Sequence, residues 1–277
     1  MKKIVRVLAA CAIALFAQGA WATPSTLFWT PATTYVQPYL IPHITYDTYF
    51  NDKANYPMDL GLTMGILPWE KIQAEVGIDA FLPYWGAQNA AFLSPAGALQ
   101  FNAKVGLTEG AFGEWFPGIS LGIYGVGTNQ ATQFDILHAE IGKGFFFGTL
   151  TVGGYYGAGG SDLIWSDWSN PDAPVTLGRA GFIGSYISPD IELGLKGLNK
   201  INFFADIQTG NNAYSAAAAG IGIYFTPSID ILTGPVFFLN KYSQPGFSNM
   251  MWSVQLDIDI DFGQAPKAPA PAEPAKS

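Results

Sequence analysis

The sequence predicts an all-β chain closed into a transmembrane, antiparallel, up-and-down β-barrel of about twelve strands. Three observations carry that prediction. The 277 residues are 49% hydrophobic and 15% aromatic but only 12% charged, against about 25% charged in an ordinary soluble domain. Beyond the N-terminal leader there is no run of about 18 apolar residues that could cross a bilayer as a helix. Segments of about ten residues instead alternate apolar and polar side chains, and a chain this apolar that cannot span with helices spans as a closed barrel.

The first element is a leader. Lys2, Lys3 and Arg6 precede an apolar run from Val7 to Ala17, and Ala20-Trp21-Ala22 is an A-x-A cleavage site, so residues 1–22 read as a signal peptide. Leu8-Ala9-Ala10-Cys11 matches a lipoprotein box, but the apolar stretch ahead of it is only a few residues long. Ordinary cleavage removes the single cysteine, which excludes disulfides, thiolate metal centres and covalent haem. It also leaves 10 basic against 21 acidic side chains, a net charge of −11. Such a chain does not bind nucleic-acid phosphates. Residues 23–34 are then expected as a periplasmic N-terminal segment, 35–262 as the barrel and 263–277 as a periplasmic tail.

The closing strand is the clearest. From Trp252 to Phe262 the alternation is unbroken, placing Asp257, Asp259 and Asp261 on one face and Trp252, Val254, Leu256, Ile258, Ile260 and Phe262 on the other. Period two means strand, with lipid on one side and water on the other. The pattern recurs with Gln73, Glu75 and Asp79 opposite Ile72, Ala74, Val76 and Ile78; with Gln100, Asn102 and Lys104 opposite Leu99, Phe101, Ala103 and Val105; and with Asn202, Asp206 and Gln208 opposite Ile201, Phe203, Ala205 and Ile207. Gly61, Thr63 and Gly65 put small residues inward, which predicts free space in the lumen.

Turn signals divide the chain into strands near 35–49, 57–67, 71–82, 98–107, 118–128, 134–143, 147–158, 175–188, 200–209, 214–225, 228–239 and 249–262. The even count suits a bacterial barrel, although 108–117 and 189–199 are long for periplasmic turns and 210–213 is short for an outer loop, which keeps ten and fourteen strands open. Aromatic residues gather at strand ends: Trp69, Trp115, Phe145 to Phe147, Tyr224, Phe225 and Phe262 at one rim, and Tyr46, Tyr49, Tyr84, Trp85, Tyr214 and Trp252 at the other. Two such girdles mark a membrane barrel. A soluble β-sandwich would also alternate; the leader, the cysteine-free mature chain and the aromatic last strand together favour the barrel.

On these residues the chain resembles Gram-negative outer-membrane β-barrel proteins as a porin-like group, with no particular family singled out. The strand ending in Phe262 resembles the C-terminal signature read by the barrel assembly machinery, which the resemblance implies as a partner during biogenesis alongside outer-membrane lipid. Phe262 is not the last residue: GQAPKAPAPAEPAKS follows, a Pro/Ala-rich stretch expected to be extended. It reads as a linker end or a tether to peptidoglycan or a periplasmic partner.

Candidate chemistry is sparse. There are two histidines, so histidine catalysis would need His43, which shares its face with Asp47, or His138, which shares its face with Glu140. Gly118-Ile119-Ser120-Leu121-Gly122 matches G-x-S-x-G, but that motif needs a strand-to-helix turn and here lies within an alternating strand. No P-loop, H-E-x-x-H or EF-hand loop is present, and no cofactor or metal is expected. Trp165, Asp167 and Trp168 lie in a long outer loop suited to binding or gating.

The informative feature is the sign of the lumen. Asp47, Asp59, Glu75, Asp79, Glu140, Asp206, Asp257, Asp259 and Asp261 are assigned inward, with His138, against Lys104 and Arg179. Carboxylate rings favour cations in a narrow pore. The expectation is therefore a monomeric outer-membrane channel passing small solutes or ions with a cation bias. The alternatives are a structural or adhesion barrel acting through its loops or tail, which a blocked lumen would favour, and an outer-membrane hydrolase, which needs a Ser or Asp within reach of His43 or His138.

Overall fold

The computed structural model describes residues 25–52, 58–82, 99–128, 133–159, 178–212, 214–239 and 249–262. Among these residues there is no helix. Thirteen strands follow one another: β1 (Pro42–Phe50), β2 (Met58–Gly65), β3 (Ile72–Leu82), β4 (Leu99–Leu107), β5 (Gly118–Gly127), β6 (Ile136–Phe145), β7 (Gly148–Gly157), β8 (Ala180–Ile187), β9 (Ile191–Leu195), β10 (Leu198–Gln208), β11 (Ala216–Thr226), β12 (Ile229–Phe238) and β13 (Met250–Asp259). All strand pairings are antiparallel. The sheet closes because β1 pairs with β13, from His43 opposite Asp259 to Phe50 opposite Trp252, and because β10 pairs with β11.

Thirteen strands make twelve staves. β8 pairs with one half of an edge of β10, ending at Ile187 opposite Phe204, and β9 resumes along the same edge with Ile191 opposite Ile201. Ser188, Pro189 and Asp190 thus stand opposite only Asn202 and Phe203. Pro189 has no N–H to give the ladder, which is why the interruption falls there. Ser188 bridges it by donating its N–H to the Phe203 carbonyl at 2.9 Å and accepting the Phe203 N–H on its hydroxyl at 2.8 Å. The long loop expected at 189–199 is therefore mostly hairpin. Its turn uses positive φ at Gly194 (61°) and Gly197 (81°), a region glycine enters without Cβ strain. The other long turn, 108–117, is real and is closed by its own bonds, Gly110 N–H to the Phe116 carbonyl at 2.9 Å among them.

Alternation divides the two faces as expected. On β13, Met251, Ser253, Gln255, Asp257 and Asp259 are buried inside while Trp252 is exposed outside. Leu60, Leu62, Val76, Phe101, Val105, Leu121 and Val152 are exposed on the outer face. An apolar surface that broad suits lipid rather than water. Trp69, Trp115, Phe145 to Phe147, Phe225 and Phe262 are exposed at one rim, and Tyr46 and Trp252 at the other. Three assignments to these girdles are corrected. Tyr224 is buried in the interior, and Tyr49 and Tyr214 pack against Trp29 inside; Tyr49 and Tyr224 sit at inward positions of their strands and Tyr214 in the turn just ahead of β11, where a ring fills space instead of anchoring in head groups.

The largest departure from expectation precedes β1. Residues 25–41, read from sequence as a periplasmic segment (23–34) and the start of a strand (from 35), run inside the barrel. Leu27, Phe28, Ala32, Val36 and Ile41 are buried there. Burial of each of the four larger side chains contributes about 1.5–3 kcal/mol, which a solvated periplasmic position would forgo.

Candidate functional site: the barrel lumen

The lumen is built from inward positions of every stave, with residues 25–41 folded into it. Starting from one rim, Leu40 donates its N–H to the Gly65 carbonyl at 3.0 Å. Deeper in, the Gln37 N–H donates to Glu75 at 2.5 Å, and the Gln37 side-chain amide donates to the Ile41 carbonyl at 3.2 Å and to Asp259 at 2.8 Å. Lys104 on β4 donates to the Thr33 carbonyl at 3.5 Å, and Ser185 on β8 donates to the Ala32 carbonyl. At Trp29 and Thr30 two successive N–H groups donate to one Asp206 oxygen at 2.9 and 2.8 Å. The indole N–H of Trp29 reaches the Tyr214 carbonyl at 2.7 Å. The segment then turns, with the Leu27 N–H on the Thr30 carbonyl at 2.9 Å. The Phe28 carbonyl accepts from Gln255 at 3.0 Å, and the Ser25 carbonyl accepts from the Lys104 ammonium at 2.5 Å.

The barrel is cut to receive this segment. A Cβ on Gly65 would stand 2.2 Å from the Gln37 carbonyl oxygen, and one on Gly118 would stand 2.5 Å from the Thr34 hydroxyl. Gly142, the register partner of Gly118, lies under the same threonine. Gly65, one of the small inward residues that predicted open space, is instead floor under residues 37 and 38, as Gly118 and Gly142 are under Thr34. The inward polar side chains are withdrawn from solvent around the whole circumference: Lys104, Ser120, Glu140, Asp206, Asp230, Gln255, Asp257 and Asp259 are each no more than 5% exposed.

Most of the residues assigned to the pore lie on that inner surface. Asp47 accepts from the Thr45 hydroxyl at 2.9 Å, and Asp79 accepts from Asn102. Asp59 stands directly opposite Asp47 in the β1–β2 register. Glu75 faces Lys104 across β3 and β4, with the ammonium 3.6 Å from the carboxylate. His138 contacts Glu140 at 2.5 Å, and Glu140 also accepts from the Ser120 hydroxyl at 2.5 Å. His43 is held between Asp257 at 3.2 Å and Asp259 at 2.9 Å. Two residues stand apart. Arg179 is exposed just ahead of β8, and Asp261 lies half-buried beyond the end of β13. Trp165, Asp167, Trp168 and the 263–277 tail lie outside the described residues, as does the 1–22 leader.

Both histidines therefore have the carboxylate contacts that a hydrolase would need. The serine of G-x-S-x-G, however, gives its proton to Glu140 and not to an imidazole nitrogen, so nucleophile and base are not in the relation that activates one with the other. Among the described residues no three His, Asp or Glu side chains converge tightly enough to hold a metal ion.

No family model and no curated protein matches the chain. Solved structures do resemble it. The NanC porin aligns at 7% identity and TM-score 0.46 over 79% of this chain and 99% of its own. An outer-membrane channel from Pseudomonas putida F1 aligns at 9% identity and TM-score 0.42 over 81% and 96%. Outer membrane phospholipase A from Escherichia coli aligns at 13% identity and TM-score 0.42 over 90% and 96%.

Two groups of functional interest escaped the sequence reading. Asp230, fully buried and directly opposite Asp257, lies in Ile229-Asp230-Ile231, the same alternation that revealed the other inward acids. The luminal segment carries no period of either kind, and only its density of apolar residues (Leu27, Phe28, Trp29, Val36) hinted at burial.

Proposed function

We propose that the chain is an outer-membrane channel of the porin type for small solutes or ions, held closed by residues 25–41 and favouring cations when they yield. The observation that carries this reading is the sign of the inner surface: Asp47, Asp59 and Asp79 project inward from three consecutive strands, with Asp206, Asp230, Asp257 and Asp259 further round the wall. Carboxylates on a narrow low-dielectric wall concentrate cations and repel anions. The exposed apolar outer face, the aromatic rims and the leader support an outer-membrane position.

The filled lumen favours a second reading, a structural barrel acting through its outer loops or tail. Current recorded across a salt gradient in a planar bilayer separates the two. The channel reading expects stepwise conductance with a reversal potential on the cation side, larger steps when Asp206→Ala loosens the luminal segment, and a reversal potential closer to zero in a D47N/D59N/D79N triple variant. An inserted barrel that stays silent both as wild type and as D206A overturns the channel and leaves the structural reading.

A further inference from the structure

Between β10 and β13, on the inner wall, three buried oxygen-bearing groups lack the partners that burial demands. Asp230 is fully buried and neither of its carboxylate oxygens has a hydrogen-bond partner among the described residues. Asp257, 3% exposed, uses one oxygen on His43, and its other oxygen has none. Asn202, 4% exposed, donates its amide N–H groups to Asp190 at 3.2 Å and to the Tyr224 hydroxyl at 3.4 Å, while its carbonyl oxygen is unpartnered. Leaving a buried polar group unpaired costs about 1–3 kcal/mol, and more when it is charged, so three together call for an occupant.

The register sets two of them side by side and the third across β11. Asp230 and Asp257 are direct partners across β12 and β13, which sets their Cβ atoms about 4.5–5.5 Å apart. Asn202 and Asp230 flank β11, opposite Gly222 and Tyr224 respectively. The Asn202 carbonyl oxygen lies over Gly222, where a Cβ would stand 2.5 Å from it and 2.5 Å from the Phe204 ring. Two adjacent carboxylates with three unpartnered oxygens between them are hard, anionic ligands suited to a cation. The basic groups nearby are already engaged, Lys200 on Asp190 at 2.6 Å and over the Tyr224 ring, and His43 between Asp257 and Asp259.

We infer that Asp230 and Asp257 form a binding site for a small monovalent cation on the inner wall. A monovalent ion fits better than a divalent one, because no three acidic or imidazole groups converge here as a tight divalent site requires. The inference deepens the cation-favouring channel by naming a place where the ion dwells.

The test uses the full chain in detergent and does not depend on conductance. Thermal unfolding is followed in sodium chloride and in choline chloride at matched ionic strength, choline being too large for the space, and the sodium-23 NMR linewidth is measured with and without potassium as competitor. The expected result is a higher melting temperature in sodium than in choline and a sodium resonance broadened by the protein and sharpened by potassium, with both effects lost in Asp230→Asn. Equal melting temperatures in the two salts, or broadening that survives in D230N, overturn the site and leave protons or water as the occupants of the unpaired oxygens. If D230N does not fold, the wild-type comparison of sodium, choline and potassium decides alone: no cation-specific difference overturns the site. A sodium-specific effect in a barrel that conducts nothing supports the site while overturning the channel, and a conducting barrel with no sodium-specific effect does the reverse.

Discussion

The Trp29 backbone N–H donates to the Asp206 carboxylate at 2.9 Å, tying a residue that precedes the first strand to the middle of the tenth. Thr30 adds a second N–H on the same oxygen at 2.8 Å. Charge-assisted bonds in a buried setting are worth about 1.5–3 kcal/mol each, and removing the acceptor strands both donors. Asp206→Ala is therefore expected to destabilise the barrel by about 2–4 kcal/mol, measured by urea unfolding in detergent micelles, and to expose residues 25–37 to protease. Unchanged protease resistance would show that the segment is held without this anchor.

Thr34 covers two paired glycines, Gly118 and Gly142. Gly118→Ala pushes a methyl against the Thr34 hydroxyl, and overpacking of this kind costs about 1–3 kcal/mol. Adding Thr34→Ala is expected to recover about 1 kcal/mol of that loss, a coupling of the size found between touching residues. Strict additivity in the double-mutant cycle would contradict the packing described.

His43 is clamped between two buried acids, Asp257 and Asp259. Breaking such an arrangement by removing its cationic or donor partner leaves uncompensated negative charge and costs about 3–5 kcal/mol. His43→Ala is expected to lose that much in equilibrium unfolding. Because His43 hydrogen-bonds Asp259 at 2.9 Å and is not held to a serine hydroxyl among the described residues, the loss should appear in stability and not in any esterase assay.

Leu62 is exposed on the outer face at mid-strand of β2. In a bilayer, Leu62→Arg is expected to cost about 2–4 kcal/mol near the midplane, falling toward 0–1 kcal/mol for a substitution at the rim such as Trp115→Arg. The check is unfolding from lipid vesicles. A soluble sandwich would tolerate both changes equally.

The staves were readable because lipid outside and polar groups inside impose period two on every strand. The unbroken run from Trp252 to Asp259 and the inward set of Gln100, Asn102 and Lys104 emerged with their faces correct for that reason. The luminal segment was not readable, because a peptide buried on all sides has no solvated face to create a period: Leu27, Phe28 and Val36 pack in different directions, and its polar needs are met through backbone groups that carry no residue identity, as at Trp29, Thr33 and Gln37. The same blindness turned Gly65 into apparent empty space. The β8–β9 interruption was half visible, since the expected strand ended at 188, but whether the proline that follows ends a strand or merely dents it depends on the partner strand, here Phe203 donating its N–H to the Ser188 hydroxyl.

The luminal segment also sets a timetable. It leaves the ribosome ahead of every strand, yet some of its partners are made last: Asp206 follows Trp29 by 177 residues and Gln255 follows Phe28 by 227. Contacts separated this far along the chain form slowly, because the loop entropy is lost before the contact rewards it. The interior is therefore completed only once β13 has arrived, so a nascent chain short of its final strand holds an apolar stretch, Leu27 to Trp29, without a place to go and must have it shielded until the wall is whole.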